Sequence, residues 1–318
     1  MGLFSMRRIV VLLASCLSIC LCICLCICIC ICLCMGSCVN GNTEIEYECV
    51  TADRTGHSIR NITADEFYNS LENPRIYEID GVIRAGVVPH HLTASPLISG
   101  FFSLVSAERS EYGTVVIVAP DHLGDRGDII VSDLDWGFNG GVICDTETVN
   151  KLLDDGNLGV VVDNDRIEQE HSASVLIPYI NHFLPTSKVV TVLVSRTISF
   201  DKTLALATKL NELIIGVEKG ALLVCSIDFS HYLEPSKAIQ NNDVVIEAIH
   251  LGDYFKIYGL SNDYVDSPAA LIIFLRYLSK IEAVAVVLDN TEASEFAPLE
   301  VFSSGETTSY LVLAGLRN

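Results

Sequence analysis

The sequence predicts an α/β fold of three layers, with a mostly parallel or mixed central sheet covered by helices on both faces. Two observations carry this. Short, nearly continuous apolar runs alternate along the chain with longer segments of helical periodicity. The chain is also 318 residues long and 50% apolar, enough for one well-buried α/β domain after the first 40 or so residues.

Taken in order, residues 39–75 are a polar lead-in with a helical hint in TADEFYNSLEN, and the core domain begins near Ile76 and runs over 76–318. Strands are expected at 82–88, 114–120, 188–194, 221–227, 283–288 and 308–315, each an apolar run rich in Val, Ile and Leu. Helices are expected at 96–110, 146–155, 172–183, 201–218, 236–251 and 268–281, with Asp201 as an N-cap. The Asp- and Gly-rich stretch LGDRGDIIVSDLDWGFNGGV follows the second strand and reads as a long loop or hairpin walling a cleft.

Residues 1–38 are a separate object. Arg7 and Arg8 precede an uncharged apolar stretch from Ile9 to Met35, the pattern of an export signal or membrane anchor. The stretch exceeds the ~7–15 residues of a typical signal core and is long enough to span a bilayer with tilt. CMGSC, ending at Cys38, resembles a lipoprotein cleavage box with Met35 in the place usually held by Leu. The expectation is an exported domain, membrane-anchored or a lipoprotein, held outside the cytoplasmic membrane. All but three of the 13 cysteines lie in this segment, in a Cys-Ile alternation of low complexity. Cys49, Cys144 and Cys225 are far apart and form neither a CxxC site nor a disulfide framework, and Cys225 reads as a small core hydrophobe.

Charge narrows the function. The chain carries 40 Asp and Glu against 20 Lys and Arg, and every carboxylate lies after position 43. Such a surface repels phosphate backbones, and no basic patch is visible, so nucleic-acid binding is not expected. The absence of G-x-S-x-G, of a Walker A loop and of G-x-G-x-x-G removes the usual serine hydrolase and nucleotide-binding readings.

The chemistry points to imidazoles. AGVVPHH ends in His90 and His91, VVIVAPDH in His122, and LLVCSIDFSHY reaches His231, each just past an apolar run. Open α/β sheets bind ligands beyond strand carboxyl ends, so these side chains are expected to converge on one cleft, within a few ångströms of each other. His171, in IEQEHSASVLIPY, opens a helical segment from which its ring faces the same cleft. His57 and His250 carry no such signal. Two or three imidazoles with a carboxylate suit Fe(II), Cu or Zn.

Pro89-His90, Pro120-Asp121-His122, Glu170-His171-Ser172 with Pro178-Tyr179, and Ser226-Ile227-Asp228-Phe229-Ser230-His231 together resemble the Memo family, called AmmeMemoRadiSam system protein B in prokaryotes. The resemblance covers roughly residues 80–315. It implies a fold related to the class III extradiol dioxygenases, a metal-dependent oxidoreductase using non-haem Fe or Cu (Zn as a further choice) on a small substrate, and protein partners from the AmmeMemoRadiSam system. The alternative is a non-catalytic binding protein that keeps the cleft. By the resemblance His90 and His122 are metal ligands. The animal branch has a third ligand in the cysteine of a D-F-C-H motif; Ser230 stands there, leaving His231 or Asp228 to complete the set. The expected metal set is therefore His90, His122 and His231. His171 is expected to transfer protons, and Asp228 either to join the chemistry or to orient His231. His91 replaces a small residue of the family and reads as a neighbour. Two further departures are Ser174, where a glutamate is common, and Asp266-Ser267-Pro268, where the family has Cys-Gly near the start of the late helix.

Overall fold

The computed structural model describes residues 56–109, 111–137, 141–297 and 306–317. The segment 1–38 and the start of the lead-in lie outside them, as do the expectations of export, anchoring and lipidation. Among the described residues no helix is long and apolar enough to cross a membrane.

The core is a mixed eight-stranded sheet in the order β6-β4-β7-β3-β8-β2-β10-β9. Its centre is four parallel strands: β7 (Lys188–Ser195), β3 (Thr114–Asp121), β8 (Ala221–Ser226) and β2 (Val82–Val88). β10 (Ser309–Arg317) joins β2 antiparallel and carries β9 (Val284–Glu292) at the edge. At the other side β4 (Ile129–Val131) runs antiparallel to β7 and parallel to β6 (Val161–Val162). A separate pair joins β1 (Gly56–Ser58) to β5 (Asp135–Gly137).

The expected layers follow from the period-2 alternation of these strands. On β3, Val116 and Val118 belong to one apolar cluster and Val115, Ile117 and Ala119 to the other. The first cluster takes in α3 (Thr146–Leu153), α7 (Phe200–Ile215), α8 (Pro235–Leu251) and α10 (Pro268–Ile281). The second takes in α1 (Ala64–Glu72), α2 (Ser95–Glu108) and α6 (Ile177–Phe183). Helices thus cover both faces, and the parallel strands between them are largely apolar.

Three local expectations change. The Asp- and Gly-rich stretch is not all loop: its Ile129–Val131 is buried and enters the sheet as β4. The helix expected at 172–183 is broken into α5 (His171–Ser174) and α6, and a separate short helix, α4 (Asn164–Gln169), precedes it. Glu170 is extended, with φ −81° and ψ 119°, and its side chain caps α5, while Pro178 in the first turn of α6 lacks the N–H that a continuous helix would need. Finally, Ser199 rather than Asp201 caps α7, its side chain accepting from Lys202 N, and Asp201 falls within the first turn.

Candidate metal centre

Three neighbouring parallel strands, β3, β8 and β2, deliver the site from their carboxyl ends. His90 lies two residues past β2, His122 directly follows β3, and Asp228 lies two residues past β8. α5 begins with His171, and Asp266 immediately precedes Ser267, the N-cap of α10. Side chains that are distant in sequence therefore meet where the sheet's topology puts ligands.

His90, His122 and His171 form one group, each offering a ring nitrogen within 4.8 Å of the others. Their ring centroids are 5.2 Å apart for His90 with either partner and 4.8 Å for His122 with His171, whose planes are tilted by only 20°. His90 is buried at 2% exposure, whereas the side chains of His122 and His171 are 34% and 48% exposed, so the group opens to solvent on their side.

Hydrogen bonds decide which nitrogens face inward. Ser226 Oγ donates to the Ser172 carbonyl, so toward His90 Nδ1, 3.1 Å away, it acts as acceptor, and Nδ1 carries the proton. Glu170 Oε1 accepts from His122 Nδ1 at 2.9 Å and lies 3.2 Å from His171 Nδ1. A carboxylate only accepts, so these two rings are also protonated on Nδ1. With Nδ1 of each ring so engaged, Nε2 is the nitrogen left for a metal, the arrangement that an acceptor behind a metal-binding histidine imposes.

Glu170 is the hub of this arrangement. Besides the two rings it accepts the backbone N–H of His122 at 2.9 Å and of Ser172 at 3.1 Å. Burial pushes its pKa up, but the bonds from His122, His171 and Ser172 outweigh burial and hold it well below the usual carboxylate range. For His122, burial lowers the pKa while Asp266 and Glu170 raise it further, to about 10. His90 goes the other way: burial lowers its pKa more than Asp228 and Asp266 raise it.

The expected trio had His231 where the structure has His171. His231 lies outside the group of three; its Nδ1 bonds the Phe229 carbonyl at 2.7 Å. Asp228 is buried, and its Oδ1 accepts the His90 backbone N–H at 3.1 Å while its Oδ2 is 3.5 Å from His90 Nε2. Burial raises the Asp228 pKa, but His90, His231 and His91 more than offset it and keep it low. His91 is a neighbour, as expected, with its Nδ1 2.7 Å from the Tyr310 hydroxyl. Ser230 is buried and donates to the Ala238 carbonyl at 3.3 Å, so its hydroxyl is engaged away from the imidazoles. Ser174 Oγ accepts from Asn61 at 2.8 Å.

Two residues of the site were not assigned roles from sequence. Glu170 was visible beside His171, but nothing in a sequence shows one carboxylate serving two rings. Asp266 was visible only as a departure from the Cys-Gly pattern; it is 3% exposed and reaches the imidazoles from the far end of a long connection.

A family model described as Memo-like protein matches residues 57–301, which contain every residue of this site and every strand of the main sheet but β10. The chain belongs to the Memo family. Among relatives, it is 28% identical over 206 residues to a MEMO1 family protein of Thermoplasma acidophilum, covering 62% of this chain and 73% of the relative. A MEMO1 family protein of Pyrobaculum arsenaticum is 24% identical over 234 residues, covering 71% of this chain and 78% of the relative. One from Methanosarcina mazei is 29% identical over 171 residues, covering 52% and 61%. The matched region begins after the N-terminal segment, so the α/β domain alone carries the relationship.

Proposed function

We propose that this Memo-family chain is a metal-dependent oxidoreductase acting on a small substrate, with His90, His122 and His171 holding one non-haem iron or copper ion. The observation that carries this is the convergence of three ring nitrogens within 4.8 Å, each ring having an acceptor at its other nitrogen. A resident iron or copper ion would supply Lewis-acid and one-electron chemistry there.

The protein's own contribution is positioning. Glu170 locks two rings at once, Ser226 locks the third, and the exposed edges of His122 and His171 form the side from which a substrate reaches the group. In this reading His171 takes a ligand's place rather than that of a proton carrier. Asp228, flanked by His90, His91 and His231, is the group placed to accept a proton at the pocket wall. Residues 1–38 are proposed to hold the domain outside the cytoplasmic membrane; a full-length protein recovered soluble from the cytoplasm with its N-terminus intact would end that part.

The test is elemental analysis of the full-length chain purified without oxygen, beside His90→Ala and His122→Ala. About one iron or copper per chain in the parent, lost in both variants, is expected. No metal in the parent, and no binding tighter than roughly 1 mM on titration, about −4 kcal/mol, would overturn the proposal.

A further inference from the structure

The end of the sheet opposite the imidazoles carries a second cavity, of about 460 Å³. It opens where the parallel strands begin rather than where they finish: Arg84 lies near the start of β2, Ala221 starts β8, and Arg317 closes the antiparallel β10. The last turns of α7 and α10 form the other walls, apolar at Ile214, Ile215 and Ile281 and charged at Lys280. Such a volume suits a small organic molecule and exceeds what a bare inorganic ion needs.

Its charge runs against that of the chain. The protein has 40 Asp and Glu against 20 Lys and Arg, yet Arg84, Lys280 and Arg317 line this cavity with only Glu282 to oppose them. Among the described residues none of these three cations makes an ion pair or a side-chain hydrogen bond. Arg84 is half-buried, so its five donors lack the open access to water that a surface lysine enjoys. A second guanidinium stands close to it. Arg84 Nη1 and the terminal nitrogens of Arg109 lie 3.3 and 3.4 Å from the point that a Cβ on Gly220 would occupy, and glycine, at φ 72°, leaves that space open. Arg109 donates to the carbonyls of Glu111 and Lys219, which leave its charge in place. Burial pushes the Tyr277 phenol above its ordinary pKa while Arg84 and Arg317 pull it back, so both guanidinium groups act on this one hydroxyl. Cations at a helix C-terminus commonly bond the last carbonyls, but Lys280, in the last turn of α10, makes no such bond. Like charges gathered without carboxylate partners make a place for an anion.

We infer that this cavity binds a small phosphate monoester with an apolar body, its phosphate held by Arg84, Arg317 and Lys280 and its body set against the isoleucines. A guanidinium fork matches two phosphate oxygens at once. A phosphate dianion has three terminal oxygens to share among several cations, whereas a carboxylate offers two oxygens and a single charge. Tyr277 keeps its proton and adds a neutral donor. Glu282 is the lining charge that opposes the ligand. The inference stands apart from the metal reading, since β2 and β8 give their opposite ends to the two sites.

The experiment is titration calorimetry of the full-length protein with phenyl phosphate, inorganic phosphate and benzoate, beside Arg84→Gln, Arg317→Gln and Glu282→Gln. Phenyl phosphate should bind the parent most tightly of the three, and each arginine variant should weaken it ~10-fold or more, as loss of a charge-assisted hydrogen bond does. Glu282→Gln should bind it more tightly, a gain that damage to the fold cannot produce. Phosphate held by a metal at the histidines would be indifferent to all three substitutions, and that result overturns this site while leaving the metal reading untouched. Inorganic phosphate bound as tightly as phenyl phosphate overturns the apolar contact, and benzoate bound as tightly overturns the choice of phosphate. No binding tighter than roughly 1 mM overturns the whole. Phosphatidylglycerol vesicles form the last arm: binding to them that Arg84→Gln loses, without binding of phenyl phosphate, assigns the patch to a membrane and overturns the small ligand. Should Arg84→Gln fail to fold, Arg317→Gln and Glu282→Gln, both at exposed residues, decide.

Discussion

Replacing Glu170 by glutamine tests whether the imidazoles are held in place or merely adjacent. Oε1 serves His122 Nδ1, His171 Nδ1 and Ser172 N, while Oε2 serves the His122 backbone N–H. An amide of the same shape has only one oxygen. Turned one way, its NH₂ confronts the His122 N–H; turned the other, it confronts both rings and Ser172. The first costs least, yet it still leaves a buried donor facing a donor and removes the negative charge behind two ligands. Hydrogen bonds to charged groups contribute about 1.5–3 kcal/mol, and loss of a carboxylate behind a metal-binding histidine typically costs 10–100-fold in affinity, which is about 1.4–2.7 kcal/mol. Glu170→Gln should therefore weaken Zn(II) and Fe(II) binding by one to two orders of magnitude, measured by competition against a chromophoric chelator. It should also lower the thermal midpoint of the metal-free protein. A folded glutamine variant that binds both metals within about twofold of the parent would refute the positioning argument.

Gly86→Ala should destabilise the fold by at least the ~1–3 kcal/mol typical of overpacking, because an added Cβ would stand 2.0 Å from Cζ of the buried Phe101; denaturant midpoints unchanged from the parent's would contradict this. His57 is buried against Trp136 and Ser132, and burial lowers its pKa below 6.5 despite Glu168 3.8 Å away. The unfolded chain thus takes up the proton first, so stability is full above pH ~6.5 and falls as pH drops through the window beneath it; His57→Gln should flatten this slope, and an equal slope in both proteins would refute it. Burial also pushes the Cys225 thiol well above its usual pKa, so peptide mapping after alkylation should find it modified only once the protein is unfolded; rapid native modification would contradict its place in the core.

The sheet was legible because its central strands are wet on neither face. Runs such as TVVIVAP and KVVTVLVS can hardly be read otherwise, and the structure begins strands at Thr114 and Lys188 as expected. β4 and β6 were not legible, since three and two residues give no periodicity and only their neighbours in the sheet make them strands. The break between α5 and α6 had a signal in Pro178, but the apolar period of 172–183 concealed it. His90 and His122 could be read from their position after strands. Their company could not. Choosing His171 over His231 depends on which way each ring turns, and His231 bonding the carbonyl two residues before it is a local event without sequence signature. Asp266 belongs to the connection before α10, where only the assembled fold shows what it faces.

The placement of β10 has a consequence for the order of assembly during synthesis. β9 touches the sheet only through β10, and Ser309, the first residue of β10, also fastens the loop that carries Asp228. Phe229 N donates to the Ser309 carbonyl, Ser309 N to the Ser230 carbonyl, and Ser230 N to Ser309 Oγ. A ribosome emits residues 221–292 before 309–317, so until then β9 has no sheet partner and the loop that carries Asp228 lacks its three bonds to Ser309. The pocket is therefore finished by a late-made strand rather than by the elements that supply its imidazoles. Metal loading, on this reading, follows translation of that strand, and nascent chains stalled before Ser309 should hold their histidines without a closed site around them.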